Sequence, residues 1–313
     1  MPASVPGMHE FDALEPGRRR LIERLVMAAF AGLSLFWAWA FVTQGAIGHD
    51  APIYLRAARI FLDGGDPWTA ENGGFHYAGS PQLTIALSPL TLIPEPVAVA
   101  LLIALAVLSS YVIVVRSKLP LWWLAYPPLV HGILSGNPGA LVVALLLTRH
   151  AWAAPLVKVV GGIPLLAELR WRALLIAALV TAVTILLFPA LWTTYLTGFT
   201  AIGDRLVRES TDAFAATGWL IIPTVAALAA LALIDRRAAG WLVIPAVWPA
   251  TQYHYAAFFL PISPAAAVIA AVPGLKSFAV ASVAYAVIRI AVHVRARRME
   301  AATMSSRVEP APR

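Results

Sequence analysis

The sequence predicts an all-α, polytopic integral membrane protein, and three observations predict it. Of its 313 residues, 60% are hydrophobic and only 12% are charged, about half the charged fraction of a soluble globular domain. Apolar runs of about 18–20 residues recur along the chain, the length at which a helix crosses ~30 Å of hydrocarbon. The net charge of +7 gathers in short clusters beside those runs: Arg18, Arg19, Arg20 and Arg24; Arg116 and Lys118; Arg170 and Arg172; Arg236 and Arg237; Arg295, Arg297 and Arg298. That is the positive-inside pattern, so the basic balance reports topology and not a nucleic-acid partner. Lipid satisfies no backbone polar group, so the crossings are helices.

Residues 1–20 are polar and punctuated by Pro and Gly, a cytoplasmic tail. A single transmembrane catalytic domain is expected over 21–298. Its first span, 21–42, delivers a polar and aromatic loop, 43–82, to the extracytoplasmic side. Within that loop, residues 50–62 have helical rhythm, with Tyr54, Leu55, Ala58, Phe61 and Leu62 on one stripe and Arg56, Arg59 and Asp63 on the other. Such a short amphipathic helix lies in the interface plane. Gly64 and Gly65 stop it, and Asp66-Pro67 turns the chain.

Residues 83–93 make a half-span, re-entrant or short and tilted, broken at Pro94-Glu95-Pro96, and the apolar run resumes over 97–115. Trp122 and Trp123 anchor a further helix at the interface; it runs to about residue 134 and breaks at Ser135-Gly136-Asn137-Pro138. Residues 140–148 are short for a crossing. Residues 152–169, with Lys158 in the middle, read as a hairpin from the cytoplasmic side or as a complete crossing. The chain spans outward over 173–188. A second extracytoplasmic loop is expected over 190–216, with Asp204, Arg205, Arg208, Glu209 and Asp212. Residues 219–234 return inward, and 241–249 lead out to Gln252-Tyr253-His254-Tyr255. Residues 258–272 are interrupted by Pro261 and Pro264, and 278–294 exit into a basic end followed by a disordered cytoplasmic tail, 299–313. The expected total is about 8–10 transmembrane helices with both termini cytoplasmic, in a bacterial-type cytoplasmic membrane. Helices broken by Pro and Gly are tolerated in lipid only around protein or a polar cavity, a feature that transporters share.

The function classes narrow by elimination. There is no cysteine, hence no disulfide, thiolate chemistry or cysteine-ligated metal. No glycine-rich nucleotide-binding signature is present, and no His, Asp and Glu spacing makes a metal site, so no cofactor is expected.

Asp50 is the leading candidate. Its side chain either caps the helix that follows or serves as a general base whose target proton becomes acidic only as the hydroxyl attacks. Asp66 and Asp63 read first as turn residues. His76 and Tyr77, with Glu71 and Asn72, could bind sugar hydroxyls, the aromatics otherwise forming an interfacial belt. Lys158 in an apolar stretch either snorkels or meets an anion such as a lipid phosphate. His254 is an interfacial histidine or orients a substrate group. Arg205 and Arg208, three apart, are a phosphate fork or surface charges.

These residues resemble glycosyltransferase family 87, membrane enzymes of the GT-C superfamily. The likeness rests on a basic N-terminus, one span, then HDAPIYLRAARIFLDGGDPW, FHYAGSP and SPLTLIP; further on, SGNPGALVVALLL is similar to the family's Gly-Gln-x-Asn region, KVVGGIP to its Lys-x-x-Pro region, and QYHYAAFFLP to its histidine-tyrosine segment. The match covers roughly residues 20–260, without the glutamine expected near Asn137. It implies transfer of mannose or arabinose, with inversion, from a polyprenyl-phosphate sugar to a lipid-anchored or cell-envelope glycan outside the membrane. Asp50 then matches the base, and Lys158, His254 and Asn137 the sugar or phosphate contacts. Inversion needs one base rather than two closely spaced carboxylates. The competing classes are a transporter or flippase, and a non-catalytic partner of an envelope-assembly complex.

Overall fold

A computed structural model describes residues 15–209, 214–248 and 251–306. Among the described residues the chain is a helical bundle with one short hairpin of two-residue strands. Helix α1 (Pro16–Thr43) opens on a proline, whose missing N–H costs nothing in a first turn. Helix α2 (Ala51–Leu62) follows in the loop, and β1 (Glu71–Asn72) pairs antiparallel with β2 (Phe75–His76). Helix α3 (Pro81–Leu87), a 3-10 turn, and then α4 (Glu95–Arg116) complete the first third. The break expected at Pro94 stands between the last two.

The middle of the chain is divided into short pieces: α5 (Pro127–Ser135), α6 (Gly139–Leu146), α7 (Ala154–Val157) and α8 (Gly162–Ala167). Then come α9 (Trp171–Leu187), α10 (Pro189–Glu209), α11 (Ile221–Ala232), α12 (Arg236–Val247), α13 (Pro264–Ala270) and α14 (Ser277–Ser306).

Among the described residues three helical stretches are long and apolar enough to cross a membrane: Pro16–Thr43, Glu95–Arg116 and Ser277–Glu300. A fourth is added if α9 and α10 count as one span bent by 110°. The chain therefore has the character of a multi-pass membrane helical bundle.

Helix α1 packs on α5, and α4 on α5 and α6, while α11, α12, α13 and α14 form a second group that includes α8. A 3-10 helix, Tyr253–Phe259, runs between the groups and touches α5, α6, α12 and α13. Every residue of this segment is buried, so it serves as the shared rung of one continuous core. A second, smaller core joins Ile53 and Ala57 of α2 and Trp68 and Tyr77 of the loop to Leu191, Trp192, Tyr195 and Ile202 of α10.

Three expected segments carry helix at their described residues. The segment 190–216 is helix from Pro189 to Glu209, because its apolar residues recur at helical spacing and bury a face on the first loop; Asp212 lies outside the described residues. Helix α14 runs to Ser306, past the limit of 298 set for the membrane domain, so the tail expected to be disordered begins as helix; residues 307–313 are not described. At the other end, helix begins at Pro16, inside the expected polar tail, whose residues 1–14 are not described.

Candidate functional site

The site is built where the first loop meets the end of α5. Helix α5 stops at Gly136, whose φ of +69° is cheap only without a Cβ. The stop leaves carbonyls at the helix end without partners. Two are taken by the first loop: the Gly48 N–H donates to the Leu134 carbonyl (2.6 Å) and the Asp50 N–H to that of Ser135 (2.9 Å). Gly48 itself has φ +72°, and a Cβ there would stand 2.7 Å from a Val99 methyl. Glycine allows the loop to approach this closely.

Those backbone bonds deliver the Asp50 side chain to Asn137, 87 positions on. The Asn137 amide Nδ2 donates to Asp50 Oδ2 (2.7 Å), and Asn137 Oδ1 accepts from the Gly139 N–H (2.8 Å). The second bond is an Asx-type turn that fixes which way the amide points. On its other oxygen, Asp50 meets His49 Nε2 at 3.0 Å. Asp50 does not cap α2: its side chain makes no capping bond, and only its carbonyl accepts from the Ile53 N–H. Burial alone would raise its pKa, but the His49 and Asn137 hydrogen bonds and the charges of His49 and Lys158 outweigh it and hold the carboxyl below its ordinary range.

Lys158 arrives from a different break. Helix α7 ends at Val157 and Lys158 is extended, so its side chain leaves the helix line. Its Nζ lies 3.4 Å from Asn137 Oδ1, 3.4 Å from the Tyr255 hydroxyl and 4.8 Å above the Tyr255 ring. The first loop is tied to this segment by Ser80, whose hydroxyl donates to the Leu156 carbonyl and accepts from the Leu83 N–H, capping α3.

Asp50, Asn137, Lys158 and Tyr255 face a cavity of about 290 Å³. Tyr54 and Tyr77 form one wall, and Tyr195, Phe199, Ile202, Leu206 and Glu209 of α10 form another. Tyr77 also bonds the Thr84 hydroxyl at 2.8 Å. His76 lines the cavity, with its Nδ1 2.6 Å from Glu209 Oε1 and its backbone N–H donating to Glu209 Oε2 at 3.0 Å.

Other candidates stand apart. Asp66 caps the short helix Pro67–Thr69 through the Trp68 N–H (2.9 Å), the turn role. Arg205 donates to the Trp68 carbonyl at 2.9 Å, and neither it nor Arg208 lines the main cavity. His254 is 2% exposed, packed against Gly132 and Gly139 and beside Tyr255, behind the cavity wall.

Sequence reasoning placed Tyr54 on the helix stripe and Tyr255 in the histidine segment without assigning them to the site. Their signal was position: Tyr54 is one helical turn past Asp50, and Tyr255 adjoins His254. His49 adjoins Asp50 in the sequence, and adjacency alone does not show that its ring turns onto the carboxylate. Among the described residues no group of three His, Asp or Glu side chains is arranged to hold a metal ion. In comparisons with known proteins, no family model, curated protein or solved structure matches the chain.

Proposed function

We propose that the chain is an inverting membrane glycosyltransferase, of the kind found in glycosyltransferase family 87 of the GT-C superfamily. It moves a mannosyl or arabinofuranosyl unit from a polyprenyl-phosphate sugar to a lipid-linked or cell-envelope glycan, on the extracytoplasmic side, with Asp50 as general base. The observation that carries this reading is the meeting of a carboxylate and an ammonium at the one Asn137 amide, on the wall of a tyrosine-rich, largely apolar cavity.

Each feature has a use in a single displacement at an anomeric carbon. Asp50 takes the proton of the attacking hydroxyl. The donor sugar's bond to phosphate oxygen breaks with its electron pair leaving on the phosphate, and Lys158 stabilises that charge. Phosphate is already a good leaving group, so no strong general acid is required. The tyrosines supply faces for sugar carbons and hydroxyls for sugar oxygens. In this reading the short helices from Pro81 to Leu87 and from Ala154 to Ala167 are re-entrant, and the remaining broken helices complete about 8–10 crossings.

The test is transfer from a panel of labelled polyprenyl-phosphate sugars by purified protein in lipid nanodiscs. Inverted product from wild type and a loss of at least about a hundredfold in Asp50→Asn are expected. Full transfer by Asp50→Asn sinks the assignment. Flux of the lipid-linked sugar in sealed vesicles without covalent product replaces transfer by transport.

A further inference from the structure

The bonds around His49 fix how its proton is held. Its Nδ1 lies 3.2 Å from the Ala46 carbonyl oxygen, which can only accept, so Nδ1 carries a hydrogen. Its Nε2 faces Asp50 Oδ1 at 3.0 Å. In a neutral imidazole with hydrogen on Nδ1, that contact would set one lone pair against another. A proton therefore belongs between His49 and Asp50 at rest. The other carboxylate oxygen is already engaged by Asn137.

We infer that His49 and Asp50 work as one unit, in which His49 receives the proton that Asp50 takes from the attacking hydroxyl and releases it to the outside. This rests on the transferase reading for its chemistry, though not for the shared proton. The balance is simple. The active form is the carboxylate beside an imidazole whose Nε2 is free of hydrogen. As the acceptor oxygen bonds the anomeric carbon, its proton goes to the Asp50 carboxylate, and the phosphate leaves with the electron pair of the broken bond. The proton then crosses to Nε2, leaving an imidazolium against a carboxylate.

Asp50 is enclosed within the cavity wall, whereas the His49 side chain keeps 31% of its surface exposed and does not line the cavity. His49 is thus a positioning and proton-accepting residue and does not touch substrate. Phe41 of α1 and Phe75 of β2 flank the imidazole, and the Asn72 amide donates to its backbone carbonyl. The other titratable groups whose charge couples to the pair are Lys158, His131, His254 and Tyr54. The hydrogen bond to Asp50 outweighs burial and raises the His49 pKa above the usual imidazole range.

Two measurements test this on the full chain in nanodiscs. NMR of ring-nitrogen-labelled histidine, assigned with His49→Gln, should show a His49 imidazolium persisting above the ordinary range and falling back to it in Asp50→Asn. Titration at the ordinary value, unmoved by Asp50→Asn, overturns the proposal. In transfer assays, wild-type rate should rise with pH through that same titration. His49→Gln, whose amide can still donate to Asp50, should lose this limb and run about a hundredfold slower above it. An unchanged pH profile in His49→Gln overturns the relay. A shared proton by NMR with no transfer under any condition leaves the pair standing and removes the transferase reading instead.

Discussion

A buried carboxylate is only as useful as its neighbours allow. Asp50 is 7% exposed, and an ion so enclosed is tolerated when its lone pairs are met by donors. Asn137 does this while its oxygen faces Lys158, so one amide sets the direction of both carboxylate and cation. Asn137→Ala should lower transfer about ten- to hundredfold with a smaller change in KM, since a hydrogen bond to a charged group contributes roughly 1.5–3 kcal/mol. Asn137→Asp should be worse, because a second carboxylate at this distance raises the pKa of the pair. Equal kinetics for wild type and Asn137→Ala would remove the amide from the mechanism. Asp50 stood out in the sequence as a carboxylate just past an apolar run. Its partner did not: no periodicity links positions 50 and 137, and the Asx turn that aims Asn137 exists only after α5 has stopped at Gly136.

At the scale of elements, α10 is the wall that determines how enclosed the cavity is. It leaves α9 at a sharp bend, rests on Trp68 and Tyr77, and is fastened at its far end by Glu209 to both the backbone and the ring of His76. Glu209→Ala should loosen that end. Backbone hydrogen exchange in the last turn of α10 should quicken about tenfold, corresponding to about 1.4 kcal/mol, while α4 is unaffected. Unchanged exchange in α10 would show that the apolar contacts alone hold it. The sequence made the breaks at Pro94 and at Ser135–Pro138 legible, because proline and glycine act locally. It hid α10, since Thr193, Thr194, Thr197, Gly198 and Gly203 weaken helix propensity and the burial that compensates comes from a loop more than a hundred residues earlier.

At the scale of the whole molecule, the ends of the long helices agree on one orientation. Basic clusters open α1 and α9 and close α4 and α14, while the first loop follows the opposite end of α1. On the basic side Glu168 gathers Arg237 (3.2 Å), the Trp241 ring N–H (2.7 Å) and Arg170 (3.7 Å), joining the start of α12 to the α8–α9 turn. Because the chain has no cysteine, a single introduced thiol reports one position. Under the proposed orientation Gly73→Cys should react with an impermeant maleimide on intact cells, and Arg298→Cys only after permeabilisation; the reverse result would overturn that orientation.

The backbone bonds from Gly48 and Asp50 to the end of α5 carry a wider consequence. The Asp50 carboxylate is mounted on a neighbouring helix, so the hairpin tip at Gly73 and Gly74 can change length or chemistry without displacing it. If the transferase reading holds, edits at that tip would reshape the rim at Phe75 and His76 and so the hydroxyl admitted, while the mount of Asp50 stays where α5 ends.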